Sequence, residues 1–113
     1  KVLGVSCYSY LGLAEQAKNA GCDYVSFGAF ASSTTKPSAK ILSKEQMHRI
    51  KNFKGLPLAL IGGIDATNLT SQIASSFDMI AISNGILGAS DVGRAVQDIN
   101  RIINSRIYIL DTI

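Results

Sequence analysis

Two segments of this chain have the composition of anion-binding loops: Phe27-Gly28-Ala29-Phe30-Ala31-Ser32-Ser33-Thr34-Thr35-Lys36-Pro37 and Leu60-Ile61-Gly62-Gly63-Ile64. The hydroxyls of Ser33, Thr34 and Thr35 offer donors and Lys36 a point charge, while paired glycines let backbone N–H groups approach a phosphate with no Cβ in the way. Each segment also has an ordinary explanation. Ser, Thr and Lys are common in solvated loops, Pro37 is a frequent loop terminator, and a tight turn after a strand needs glycine whether or not it binds anything. Position favours the chemical reading, because both segments follow predicted strands, as does Ser83-Asn84-Gly85.

Other reactive side chains are sparse. Ser6 ends the first predicted strand and can hydrogen-bond a ligand nitrogen or oxygen, but it lacks the neighbouring His and acid of a hydrolase triad. His48 is the single histidine and falls on a predicted helix, where a solvent-facing role is the common one. One His, two separated Cys and no clustered carboxylates do not assemble a zinc or di-metal centre, so no residue is assigned as a metal ligand. Asp23, Asp65, Asp78 and Asp91 stand at turns, caps or strand starts, and Glu15 and Asp98 on solvent-facing helix positions.

The elements that must position these residues follow from periodicity. Short apolar runs at 2–5, 24–27, 58–61 and 79–82 are each followed by an amphipathic stretch, giving four strand–helix units. The first helix starts near Ser9 and stops at Gly21, which adopts a left-handed cap cheaply. Ser43-Lys44-Glu45-Gln46 predicts a capping box on a helix whose inner face is Met47 and Ile50. Asp65 predicts a cap on a third helix carrying Leu69 and Ile73. Asp91 predicts a cap on a fourth, with Val92, Ala95, Val96, Ile99, Ile102 and Ile103 as its apolar face. Strands in this order run parallel with right-handed crossovers, as in a doubly wound sheet or part of a (β/α) barrel. Both architectures gather ligands at the C-terminal strand ends, where Ser6, residues 33–36, Gly62-Gly63 and residues 83–85 converge.

Composition narrows the classes further. With 47% hydrophobic and 17% charged residues, the chain is an ordinary folded domain, but 113 residues fall short of the roughly 200 or more that a complete barrel takes. The net charge of +3 is spread along the chain, with no basic cluster interleaved with aromatics, which argues against a nucleic-acid surface and suits anionic metabolites. Cys7 and Cys22 lack CxxC spacing and fall in or beside strands, predicting buried thiols in a reduced compartment. The longest apolar runs are too short to span a bilayer and no signal peptide is recognisable, so no membrane partner and a cytoplasmic location are expected. No G-x-G-x-x-G or G-x-x-x-x-G-K-S/T follows a strand, which weakens a nucleotide-binding reading.

Taken in series, Gly4-Val5-Ser6-Cys7, residues 20–30, Ser33-Thr34-Thr35-Lys36-Pro37, Ile61-Gly62-Gly63-Ile64 and Ile86-Leu87-Gly88-Ala89 resemble thiamine phosphate synthase over residues 1 to about 103. The resemblance implies a TIM-barrel family α/β fold of which this chain supplies four C-terminal βα units, a half-barrel, with 104–113 as an extension. It implies a transferase that joins hydroxymethylpyrimidine diphosphate to thiazole phosphate by a dissociative route, releasing diphosphate, with Mg2+ on the leaving group. Carried over by motif position, Ser6 contacts the pyrimidine substrate and Lys36 its diphosphate. Ser33, Thr34, Thr35, Gly63, Ser83 and Asn84 surround the thiazole phosphate. The magnesium ligands belong to the family's other half.

The sequence departs from the family pattern at three places: Ala31-Ser32 replaces Phe-Pro, Asn84 replaces a phosphate-contacting serine, and Ser76 replaces a glycine before the last strand. In the related thiazole tautomerases a histidine occupies the position of Tyr8, and a phenol is a poor substitute for an imidazole that shuttles protons at neutral pH. A non-catalytic phosphate-binding or structural half-barrel is the other reading. A half-barrel exposes two sheet edges and an apolar inner face, which predicts homo-oligomers or association with the family's N-terminal half. The tail from Arg106 to Ile113 is β-prone, with two readings: a strand that covers one such edge, or an ordered extension without a function of its own.

Overall fold

The computed structural model describes residues 1–33 and 38–111, with side chains described through residue 104. Four strands, β1 (Gly4–Ser6), β2 (Tyr24–Phe27), β3 (Leu58–Ile61) and β4 (Met79–Ala81), form one parallel sheet in the order β1-β2-β3-β4. The helices are α1 (Leu11–Ala20), α2 (Lys44–Lys51), α3 (Ser71–Ser75), α4 (Asn84–Leu87) and α5 (Val92–Asp111). Spatial order follows chain order with no reversal. A doubly wound sheet needs a switch point, so the winding is that of barrel units, and right-handed crossovers in one direction put the helices on one face.

Register sorts the strand residues between the two faces. Val5 pairs with Val25, Val25 with Leu58, Phe27 with Leu60, and Leu60 with Ile80. Paired residues of parallel strands point the same way, so this apolar set faces the helices. Val25, Phe27 and Leu60 are fully buried there, with Ile50 of α2 and Ile99 of α5 in the same core. The Phe27 ring meets Phe53, just beyond α2, edge-on at 6.4 Å. The opposite face carries Gly4, Ser6, Tyr24, Ser26, Ala59, Ile61, Met79 and Ala81. It is therefore a mixture of small, polar and apolar residues rather than the apolar surface expected.

Local signals explain most boundaries. Gly21 closes α1 at φ 97°, and Ser43 with Gln46 forms the reciprocal capping box on α2, at 3.1 and 2.8 Å. Asp91 accepts the Arg94 N–H at 3.0 Å at the start of α5. Two expectations are corrected, for Asp65 and for the tail. Asp65 does not cap a long third helix: it closes a single turn, the Leu69 N–H donating to its carbonyl, and the five-residue α3 starts at Ser71 under a separate cap, Thr70. The segment 83–85 after β4 runs straight into a short helix, because Asn84 begins α4. The β-prone tail is helix as far as Asp111, while Thr112 and Ile113 lie outside the described residues. Apolar residues spaced 99, 103, 107 and 110 continue a helical repeat, and extending a formed helix fixes one residue per new bond. Val92, Val96 and Ile103 remain more than a third exposed on α5, which follows the edge strand β4.

A carboxylate device recurs. Asp23 accepts the Leu3 N–H at 2.6 Å and returns its own N–H to the Leu3 carbonyl at 2.8 Å. Asp78 does the same to Leu58 at 2.8 and 2.9 Å. Each clamp ties the start of one strand to its neighbour. Asp78→Ala is expected to cost about 1–2 kcal/mol, allowing for partial solvent screening, and Asp23→Ala less, since that site is more exposed. Urea midpoints of the two variants, with the order Asp78 above Asp23, check this.

Candidate functional site

The polar groups expected at the strand ends line a single cleft of about 1040 Å³. Ser6 enters from β1, Gly28 from the end of β2, Gly62 and Gly63 from the end of β3, and Ser83 and Asn84 from beyond β4. Ser33 joins them from the loop after β2, so Ser6, Ser33, Gly63, Ser83 and Asn84 are brought together. Thr34, Thr35 and Lys36 lie outside the described residues.

The loop carrying Ser33 is tied at its base. Ala29 donates to the Lys40 carbonyl at 3.2 Å and accepts from the Leu42 N–H at 2.8 Å. Phe30 and Ala31 donate to the Ile61 and Gly62 carbonyls at 3.0 and 2.9 Å, laying the loop across the end of β3. This crossing explains the glycine pair. Gly62 and Gly63 have φ of 98° and 68°, and a Cβ on Gly62 would stand 2.7 Å from the Ala29 Cα. On Gly63 it would run into the Ala31 carbonyl oxygen. No helix starts directly behind this pair, because the Asp65 turn intervenes before α3. The Gly63 carbonyl instead accepts from Asn68 Nδ2 at 2.8 Å, which ties the pair to that turn.

The turn is organised by Asp65 Oδ1, which accepts from the Thr67 hydroxyl at 2.6 Å, the Thr67 N–H at 2.9 Å and the Asn68 N–H at 3.1 Å. The Thr67 hydroxyl is the main cause that holds the Asp65 carboxyl below its ordinary range; partial burial opposes it and the two N–H donors reinforce it. A lowered folded-state value favours the carboxylate in the native chain. Its contribution is complete above the unfolded carboxyl range, near pH 4, and is lost as pH falls through the lowered value. Asp65→Asn is expected to flatten that part of the acid limb, read as urea midpoints between about pH 6 and about pH 2.5.

Lys40 and Tyr8 are among the lining residues that escape sequence reasoning. Lys40 is the charged one among the described lining residues, none of which is acidic. Only the return of the chain to Ala29 places it there. Tyr8 lines the cleft in a left-handed backbone conformation, φ 56°, with its carbonyl accepting the Gly28 N–H at 3.1 Å. Non-glycine residues seldom adopt that conformation, and nothing in the local sequence announces it. Gly85 allows α4 to press against the Ile64 carbonyl, where any Cβ would collide. The contact signal for Gly85 is long-range and therefore invisible in the sequence.

The remaining candidates take structural places. His48 is exposed on α2, away from the cleft lining. Cys7 and Cys22 are free and buried, and burial, then the neighbouring Cys22, pushes the Cys7 thiol up, keeping it protonated and unreactive. Among the described residues no group of three His, Cys, Asp or Glu side chains could hold a metal ion, and no helix is long and apolar enough to cross a membrane.

The sequence profile of thiamine monophosphate synthase matches residues 1–86. The thiamine-phosphate synthase of Thiobacillus denitrificans is 40% identical over 102 residues, covering 90% of this chain and 48% of the relative. That of Methylococcus capsulatus is 38% identical over 98 residues, covering 87% and 44%. A solved thiamine phosphate pyrophosphorylase from Pyrococcus furiosus superposes with a TM-score of 0.76 at 27% identity, over 90% of this chain and 48% of its own. The chain thus spans about half the length of the curated relatives it matches. With a profile covering most of its residues and a matching fold, the chain belongs to the thiamine monophosphate synthase family.

Proposed function

We propose that this chain forms the thiazole-phosphate side of a thiamine phosphate synthase site, in a cytoplasmic transferase. The observation that carries the reading is the cleft at the strand ends: its described lining has one cation, Lys40, hydroxyls from Ser6, Ser33 and Ser83, and no acid. Such a lining suits an anionic phosphate ester, and an adjacent ring can rest on Ile61 and Ile82.

In the proposed reaction the bond between the pyrimidine methylene carbon and the diphosphate oxygen breaks, the electron pair leaving with the diphosphate. The thiazole nitrogen then donates its lone pair to that carbon. Positioning is the task of this chain: Ser33 to Thr35, Gly63, Ser83 and Asn84 hold the thiazole phosphate, Ser6 meets the pyrimidine and Lys36 its diphosphate. The family's Mg2+ does not fit the described residues, since the cleft lining offers no carboxylate, so no step here runs through a metal.

The test is thiamine phosphate formation by the purified chain mixed with a separately expressed N-terminal half of the Thiobacillus denitrificans relative. Turnover in the mixture supports the reading, and silence from a mixture shown to associate overturns it in favour of a binding or structural half-barrel. Binding of inorganic phosphate, followed by chemical shifts of the cleft residues, checks the anion site separately. Lys40→Ala is expected to weaken it by about tenfold or more, the worth of one charge-assisted hydrogen bond.

A further inference from the structure

The turn that ends β1 is tied on all sides. The Cys7 N–H donates to the Ser26 carbonyl at 2.8 Å, the Cys7 carbonyl accepts from the Tyr10 N–H at 2.9 Å, and the Tyr8 carbonyl accepts from the Gly28 N–H at 3.1 Å. Between these ties Tyr8 stands at φ 56°, the one non-glycine residue with positive φ among the described residues. Glycine or asparagine meets such a turn at lower cost than a bulky side chain. Core packing does not offset the strain, since Tyr8 is 61% exposed. Its exposed surface belongs instead to the wall of the strand-end cleft, beside Ser6 and Ser9. The tie to Gly28 sets the turn over the junction of β1 with β2, away from the unpaired edge of β1. Tyr10 is also exposed, but its backbone is relaxed at φ −101° and it lines the smaller cavity between α1 and α2 as well.

Distance along the cleft indicates which part of a ligand Tyr8 would meet. Among the groups proposed above for the thiazole phosphate, Gly63, Ser83 and Asn84 stand beyond β3 and β4. Those strands are two and three spacings from β1, roughly 10–14 Å. A thiazole on its short phosphate arm spans the first part of that distance, and the second ring joined to it spans the rest. Ser6, two residues before Tyr8, already stands where the edge of that second ring would lie.

We propose that Tyr8 binds the pyrimidine ring, its phenol face stacked on the heterocycle whose edge meets the Ser6 hydroxyl; this rests on the synthase reading of the cleft. A nitrogen heterocycle is electron-poor, and offset stacking on an electron-rich phenol is favourable. The strained turn then has a use. It fixes the base of the side chain at the rim before a ligand arrives, which reduces the ordering lost on binding.

The experiment is an NMR titration of the chain and its Tyr8→Asn and Tyr8→Phe variants, alone and joined with the N-terminal half of the Thiobacillus denitrificans relative. Three probes are used: inorganic phosphate, thiamine phosphate and the uncharged hydroxymethylpyrimidine. In the native chain the pyrimidine ring proton of either ring-bearing probe is expected to move upfield, the ring-current signature of a stacked phenol. Tyr8→Asn is expected to weaken both ring-bearing probes by about threefold to tenfold and to leave inorganic phosphate unchanged. Tyr8→Phe keeps the ring, the affinity and the upfield shift. Because asparagine tolerates left-handed backbone, the urea midpoint of Tyr8→Asn is expected to equal or exceed the native one. A lowered midpoint would make the ring a packing element and overturn the proposal. Equal losses in Tyr8→Phe and Tyr8→Asn, unchanged pyrimidine affinity in Tyr8→Asn, or a native chain that binds neither ring-bearing probe would overturn it too. Failure of the phosphate reading has a separate signature: the native chain ignores inorganic phosphate yet binds the uncharged pyrimidine through Tyr8.

Discussion

Gly63→Ala is expected to destabilise the chain by about 2–5 kcal/mol and to abolish anion binding in the cleft. Two costs combine. The left-handed backbone at φ 68° penalises any Cβ by about 1–2 kcal/mol. The new methyl group would also collide with the Ala31 carbonyl and stand 2.7 Å from the Ser32 oxygen. Both obstacles are backbone atoms, so relief requires moving the whole loop that carries Ser33 across β3, an overpacking cost of about 1–3 kcal/mol. Urea denaturation gives the stability change and phosphate titration the loss of binding. Gly12→Ala is the control, because a Cβ there meets nothing within 4 Å. It lies in α1, where alanine is favoured over glycine by up to about 1 kcal/mol. An unchanged midpoint in Gly63→Ala would contradict the close crossing of the two loops.

Phe27→Ala is expected to have the largest effect of any single truncation, about 3–5 kcal/mol. Phe27 is fully buried on the helix-facing side of a central strand and packs edge-on against Phe53. Removing the ring leaves a cavity between β2 and the segment after α2, and it removes the aromatic pair as well. For a domain whose total stability is on the order of 5–15 kcal/mol, that loss is a large fraction. The near-ultraviolet circular dichroism is expected to collapse before the far-ultraviolet signal, because secondary structure outlasts fixed packing. Phe27→Leu keeps most of the volume and is expected to cost less than half as much. Equal losses in the two variants would show that Phe27 contributes through something other than its filled volume.

Much of this fold is legible in the sequence wherever the cause is local. Residues 24–27 and 58–61 are short apolar runs bounded by turn residues, and the structure gives β2 and β3 those bounds. The Ser43 box and the Gly21 cap depend on groups within four residues of each other. Failures arise where a competing or distant contact decides. Asp65 has the chemistry of a helix cap, yet Asn68 reaches back to the Gly63 carbonyl and holds one isolated turn instead. The packing of Gly85 on Ile64 is set by a segment some twenty residues earlier and has no local signal. In the cleft, Ser6, Ser33, Gly63, Ser83 and Asn84 were legible from their places after strands. Lys40 and the left-handed Tyr8 were not, since the first depends on the path of a long loop and the second on the Gly28 N–H that meets its carbonyl.

The Asp23 and Asp78 clamps bear on the order in which this chain acquires its structure. Every strand pairs with its neighbour along the chain, and each clamp closes a loop of only 20 residues. The entropy lost in closing a loop grows only with the logarithm of its length, and folds built from near-sequence pairings form quickly. Each β–α–β half holds its own clamp, so either half can nucleate without waiting for the other, and the β2–β3 pairing then joins two segments that are already organised.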